Sequence, residues 1–376
     1  MKKRFCLNFA GIFLLLFFTS LSGLLLSCSD NSPDPELDGG RELVVPNPDL
    51  DDELDDENDE IVPEPGDGDG DEEEPPAPDP KAVLLTARVE SEREIVFEFS
   101  EPVTVQSLSF DPVMEIYSLE EGSTVKVLLE EDLEPGFRFT ADLEVEDEWE
   151  NTITEQRSLI SINKRFPELL INELRTEWSN PRTEFIEFMI LTDGNLGGLR
   201  VFVSSNTRSP MIYEFKPVEV EQGELVVLHL RTLEDSCKDE YGQSLDESGG
   251  RDSSTTARDI WIPGSAKLLR KTDAVYVMDM DDKVLSAVMI SETPDSLWTR
   301  DHFAEAAEFL FKQGAWKSPA GEICTPADAV SSADVGSAAT KSISRDKSME
   351  NSKTTVDWFV TAAGGASPGQ PNTPRE

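Results

Sequence analysis

The sequence predicts an all-β protein: two β modules in tandem behind a disordered acidic tether, with one short helix inserted in the second. Three observations predict it. From Lys81 onward, apolar and polar residues alternate in short runs rich in Val, Ile, Phe and Thr, broken by Pro, Gly, Asp and Glu. Short strands at regular spacing with turn signals between them indicate a sandwich or barrel. Before Lys81 the chain has few large apolar residues and a heavy excess of acid, too little to offset its own ordering entropy. Residues 299–313, by contrast, space their apolar side chains at helical intervals.

Taken in chain order, Lys2, Lys3 and Arg4 precede a run from Ala10 to Ser27 that is almost entirely apolar, small or Ser/Thr. That is the geometry of a secretory signal, although roughly 20 apolar residues can also span a bilayer. The run ends in Leu25-Leu26-Ser27-Cys28, which resembles the lipobox of bacterial lipoproteins. The resemblance implies a signal peptide over residues 1–27, cleavage after Ser27 and acyl chains of the palmitate type on Cys28. Each buried CH₂ adds about 0.8 kcal/mol and a single chain anchors only reversibly, so two or three chains hold firmly. The implied location is the cell envelope. Ser29 stands where some bacteria place the Asp that retains lipoproteins at the inner membrane, which favours the outer membrane. The alternative is an uncleaved anchor helix with an incidental cysteine.

The tether spans residues 28–80. Its 22 Asp and Glu face Arg41 alone, and the whole chain carries −43. As a flexible coil, about fifty residues reach ~40 Å, and charge repulsion extends them further. Asp67-Gly68-Asp69-Gly70-Asp71 begins like a calcium loop, but Glu72 and Pro78 stand where that loop needs Gly and a bidentate Glu. A body this acidic repels phosphate backbones, which argues against nucleic acid as a partner. Calcium or a cationic protein fits the charge better, and so does solubility alone.

The first β module spans residues 81–163, with strands expected at VLLTARV, EIVFEFS, VMEIYSL, STVKVLLEE, FRFTADLEVE and RSLISI. Val96–Val103, VFEFSEPV, looks like the strand-and-turn signature of S-layer-type bacterial Ig-like domains, and LEPGFRFTADLEVEDEWENTI resembles their closing stretch. The resemblance implies a turn at Pro135-Gly136, Phe137 and Phe139 in the core, and a loop opened by Asp147. Glu150-Asn151 replaces the family's Gly-Asn there, which implies a remodelled turn. Such domains are usually spacers or adhesive modules.

The second module spans residues 167–373. Ile171-Asn172-Glu173, Glu184-Phe185-Ile186-Glu187-Phe188, TDGNLGGLRVF, QGELVVLHL and the closing stretch Ser342–Asn372 resemble, in order, the motifs of lamin-tail domains. The resemblance implies an Ig-like sandwich with Ile186 and Phe188 in its core, LGGL crossing between sheets, and Trp358 on the closing strand. A hairpin is expected to turn at Met280-Asp281-Asp282-Lys283. Two insertions lengthen the module, one at 234–262 and one at 299–313. In the second, Phe303, Ala307, Leu310 and Phe311 share a helix face, Thr299 could cap it and Gly314 would end it.

Candidate chemistry is sparse. Cys6 would leave with the signal, so Cys237 and Cys324 are either one disulfide or two separate thiols. His229 lies in an apolar strand and His302 in the first helical turn; no zinc spacing, G-x-S-x-G or P-loop occurs. Glu173, Glu184 and Glu187 fall on neighbouring strands and are candidate Ca²⁺ ligands, although alternate strand residues are expected to face water anyway. No other cofactor is implied. The sequence therefore reads as an envelope lipoprotein acting as a non-catalytic binding or scaffolding module. In that reading the lamin-tail-like domain contacts a protein partner and the lipid at Cys28 contacts the membrane. The alternatives are an extracytoplasmic hydrolase or hydrolase accessory subunit using Asp235, Asp239, Asp246 and His302 from the insertions, and a purely structural envelope protein.

Overall fold

Six strands form where the alternation between Lys81 and Asn163 predicts them. The computed structural model describes residues 81–346 and 351–373, all within a unit running from Pro75 to Glu376. The expected signal, Cys28 and the tether lie outside the described residues. The first module comprises β1 (Leu84–Val89), β2 (Glu94–Asp111), β3 (Ile116–Glu120), β4 (Gly122–Leu129), β5 (Arg138–Asp147) and β6 (Thr152–Ile160). β2 is the organising strand. Its first half pairs with β1 and β4 and its second half with β5, within one six-stranded sheet. The sequence suggests a turn at VFEFSEPV, but the strand runs on. Its ladder to β4 breaks between Glu98 and Val103, and Pro102 falls in that break, where its missing N–H removes no ladder bond. Phe97 and Phe110 from the two halves of β2 meet Val127, Phe139 and Leu143 in a single core, with Phe137 packed at its margin. In the loop after β5, Glu150 takes a left-handed φ of 63°. The Asp147 carboxylate holds this turn by accepting the N–H of Trp149 and of Asn151, each at 2.9 Å.

The second module contributes β7 (Leu169–Arg175), β8 (Phe185–Ile190), β9 (Gly194–Asn195), β10 (Arg200–Val203), β11 (Met211–Glu214), β12 (Glu219–Val220), β13 (Leu225–His229) and β14 (Arg258–Trp261). β15 (Asp273–Met278), β16 (Val284–Ser291), helix α1 (Asp301–Lys312), β17 (Val330–Ser331), β18 (Ile343–Arg345) and β19 (Trp358–Val360) follow. The large sheet has the order β14-β13-β8-β7-β18-β19, the smaller one β11-β10-β15-β16-β17, and β9 pairs with β12. The chain leaves the large sheet after β8 and enters the smaller one at β10, through Gly198 at φ +83°. Ile343, Leu174, Ile186, Leu228 and Ile260 form one rung across five strands of the large sheet. All five are fully buried, against Val201, Val275 and Val288 of the smaller sheet. Each such side chain contributes about 1.5–3 kcal/mol over exposure. The fold is an all-β sandwich with one inserted helix.

The helix forms where its spacing predicts, but its details differ. Phe303, Ala307 and Leu310 are buried, whereas Phe311 is 36% exposed. Arg300, not Thr299, precedes the first turn, and no side chain caps it. Gly314 follows the helix at φ +63°. The β15–β16 hairpin turns at Met280–Lys283 with Asp282 left-handed at φ 61°. Asp279 Oδ1 accepts the N–H groups of Asp281 and Lys283 at 3.0 Å, so a carboxylate stabilises a turn that glycine usually makes.

The two modules touch backbone to backbone. A Cβ on Gly136 would lie 2.0 Å from the Gly197 carbonyl oxygen. Asn163 Nδ2 donates to the carbonyls of Asn195 and Gly197 at 2.9 Å, and Arg138 makes a bidentate pair with Glu214 at 2.6 and 2.7 Å.

Candidate functional site

The outer face of the large sheet does not face water as its alternation suggests. A register shift between Ile171 and Glu173 inserts Asn172 as a bulge. It turns Glu173 outward while returning Leu174 to the core. Ser344, Glu173, Glu187, Val227 and Asp259 then form one outward rung, and Arg175, Phe185, His229 and Trp261 form the next. Every one of these nine residues is buried. The cover comes from the insertion between β13 and β14 and from the closing segment Ser367–Asn372.

The polar side chains of these two rungs have identifiable partners, as burial requires. Glu173 accepts Ser367 N–H at 3.1 Å, Ser367 Oγ at 2.9 Å and Ser344 Oγ at 3.2 Å. Burial nonetheless pushes its carboxyl above the usual range, and these hydrogen bonds offset that only in part. Glu187 accepts Gly369 N–H at 2.7 Å and Asn172 Nδ2 at 2.6 Å. Asn372 completes the clamp by donating to the Arg345 carbonyl at 2.8 Å. Gly369 sits at φ +68°, and a Cβ there would lie 2.3 Å from Ser254 Cβ, so only glycine lets the segment lie this close. Glu184 forms a bidentate pair with Arg231 at 2.5 and 2.6 Å, and Trp178 lies 4.3 Å from that guanidinium. His229 stacks on Trp261 at 3.7 Å between ring centres. Its Nε2 lies 2.8 Å from Asp259 Oδ1 and its Nδ1 3.4 Å from Thr183 Oγ1.

These positions correct several expectations. Glu173 and Glu187 are brought face to face across β7 and β8, but Glu184 points to Arg231. All three carboxylates are occupied by protein donors, so they do not form the expected Ca²⁺ site. No group of three or more His, Cys, Asp or Glu among the described residues could hold a metal. Cys237 and Cys324 are free thiols, not a disulfide. Cys324 is buried in the main core and its thiol donates to the Thr325 carbonyl at 3.3 Å. Cys237 packs instead beside Gly250 in the first insertion. Burial raises both thiols, Cys324 to about 12.

The acids proposed for a hydrolase are not assembled either. Asp239 accepts Trp261 N–H at 2.7 Å and Tyr241 Oη at 3.2 Å, Asp246 accepts Ser244 Oγ at 2.5 Å, and Asp235 is exposed. His302 lines a shallow pocket with Tyr276, Glu305 and Phe309 that none of those acids reaches. Arg175, Arg231 and Asp252 are the residues that sequence reasoning missed. The available signal was charge at alternate positions of otherwise apolar strands, as in Ile171–Arg175 and Leu225–Arg231.

Among known proteins, a family model named TP_1001_2nd and described as a protein second domain matches residues 167–360. An uncharacterized protein of Treponema pallidum (strain Nichols) is 29% identical over 170 residues, which are 42% of this chain and 42% of that protein. The match thus spans less than half of the relative. Among solved structures, the N-terminal part of the bacterial S-layer protein SbsC aligns over 56% of this chain and 43% of that chain, with 11% identity and a TM-score of 0.21. A DUF4876 family protein from Bacteroides thetaiotaomicron VPI-5482 aligns over 75% and 89%, with 10% identity and a TM-score of 0.23. No helix among the described residues is long and apolar enough to cross a membrane. With its model covering half of the chain, the TP_1001_2nd family is the one to which this chain belongs.

Proposed function

We propose that the chain is a cell-envelope lipoprotein, acylated on Cys28, whose second module, lamin-tail-like in its motifs, binds or scaffolds a protein partner without catalysing a reaction. The observation that carries the non-catalytic reading is the sealing of the large sheet's outer face. Glu173, Glu187 and His229 are the groups there best suited to acid–base work, and all three are fully buried with their polar atoms engaged by neighbouring protein groups. The lipobox at Leu25–Cys28 supports the anchor, and Ser29 supports outer-membrane delivery. The charge of −43 favours a cationic protein surface as partner over nucleic acid.

Two measurements test this. Cells expressing the wild-type chain or Cys28→Ala are labelled with a palmitate analogue. Label on the wild type alone, with the variant released from the membrane fraction, supports the anchor; an unlabelled wild type or an equally labelled variant overturns it. In the second, the protein is immobilised and challenged with envelope extract. A partner retained at low salt and eluted as ionic strength rises supports the contact role, and recovery no greater than from bare resin overturns it.

A further inference from the structure

A pocket at the edge of the cover over the large sheet is basic. A pocket of about 320 Å³ is lined by Arg175, Arg182, Arg251, Asp252, Ser253 and Thr340, with the chain between Gly364 and Gln370 closing one side. Three guanidinium groups meet one carboxylate here, in a chain whose net charge is −43.

The carboxylate is already committed. Asp252 pairs with Arg175 and accepts Thr183 N–H at 2.9 Å. The same pair fixes Arg175, whose Nε also donates to the Thr183 carbonyl at 2.6 Å and whose guanidinium lies 4.8 Å from the Phe185 ring centre. Its Nη1 has no protein partner among the described residues. Arg182 is half-buried, Arg251 is exposed, and neither makes an ion pair among the described residues. Arg88, Arg138, Arg231, Arg258 and Arg345 each make one. With the carboxylate spent on Arg175, Arg182 and Arg251 leave the pocket net positive, the setting that a charge-assisted contact to an anion requires.

We propose that this pocket binds a tetrahedral oxyanion, phosphate or sulfate, free or as the headgroup of a larger molecule, with Arg175 as its fixed donor and Arg182 and Arg251 closing on it. Guanidinium forks match the oxygens of such groups. Donors arriving from three side chains suit a tetrahedral ion better than a planar carboxylate. Thr340 lines the same pocket. The acidic surface does not forbid the ion, because charges more than about 8 Å away are largely screened at physiological ionic strength while those lining the pocket are not. The inference goes beyond the reading above and holds with or without the lipid anchor.

The test follows thermal unfolding of the full chain in non-ionic detergent while sodium phosphate, up to about 50 mM, replaces chloride at constant ionic strength. A saturable rise in the midpoint is expected for the wild type. Arg182→Gln and Arg251→Gln should each weaken the apparent affinity about tenfold or more, and the double variant should abolish the effect. Arg208→Gln, an exposed arginine outside the pocket, should leave it intact. Isothermal titration with phosphate serves any variant whose unfolding is altered. Vesicles of phosphatidylcholine with and without phosphatidic acid, mixed without detergent with the Cys28→Ala chain so that no acyl chain contributes, separate the sources. Retention on the acidic vesicles that free phosphate displaces identifies a lipid headgroup; phosphate binding without retention identifies a free ion. An absent shift, or an equal shift in the double variant, overturns the proposal.

Discussion

Replacing Gly369 by Ala should unfasten the segment that seals the large sheet. The new methyl would sit 2.3 Å from Ser254 Cβ and 2.9 Å from Ala257 Cβ, far inside contact distance, so the segment must lift. Lifting breaks the 2.7 Å hydrogen bond from Gly369 N–H to Glu187, and a bond to a charged acceptor contributes about 1.5–3 kcal/mol. The left-handed backbone, φ +68°, costs a residue with a Cβ about 1–2 kcal/mol more. Together these predict a loss of about 2.5–5 kcal/mol. Gly314 provides the control. It follows helix α1 with a positive φ of +63°, and no atom lies within 4 Å of its would-be Cβ, so Gly314→Ala should show only the backbone part. Urea unfolding, extrapolated linearly to water, measures both. If the two variants lose the same stability, the close approach at Gly369 does not hold the seal and the reasoning fails.

Two further outcomes follow from the buried charges. Arg231→Met strips the partner from a fully buried Glu184 and should cost about 3–5 kcal/mol, whereas Glu184→Leu with Arg231→Met should recover most of it; a double-mutant cycle with no recovery would contradict the pairing. Asp273 is fully buried and burial pushes its carboxyl up to about 6, with hydrogen bonds from Ser205, Arg270 N–H and Ser204 opposing. Because its folded pKa lies above its unfolded one, the folded protein holds a proton that the unfolded chain has released between about pH 4 and 6. Its contribution to stability is therefore present below about pH 4 and is lost as pH rises to 6, by on the order of 3 kcal/mol. The stability of the wild type relative to Asp273→Asn should grow as pH falls from 7 to 4, and a flat or opposite trend in urea unfolding would refute it.

The strands were legible because alternation is local. The inner rung from Ile343 to Ile260 can be anticipated from Ile186 and Leu228 in their runs, whereas Leu174 joins it only through the bulge at Asn172. The fate of the opposite face was not legible. A period of two says that Glu173 and Glu187 share a side, not what lies on that side, and their cover arrives from Ser367 and Gly369, 194 and 182 residues further along. His229 illustrates the same limit: its place in an apolar strand was plain, but Asp259 and Trp261, which hold it, come from the insertion. The β2 strand ran through Pro102 because a register break, invisible in the sequence, spared the missing donor. The helix showed its buried face, but its last aromatic residue, Phe311, is exposed, because the buried stripe runs through Phe303, Ala307 and Leu310 instead.

The clamp at Ser367–Asn372 sets an order of events during synthesis. Until those residues leave the ribosome, the β7–β8 hairpin can form but its carboxylates stay wet, because the donors that cover them come from Ser367 and Gly369. Contacts this distant along the chain form slowly. The second module is thus locked shut only once Ser367–Asn372 have been made and have docked.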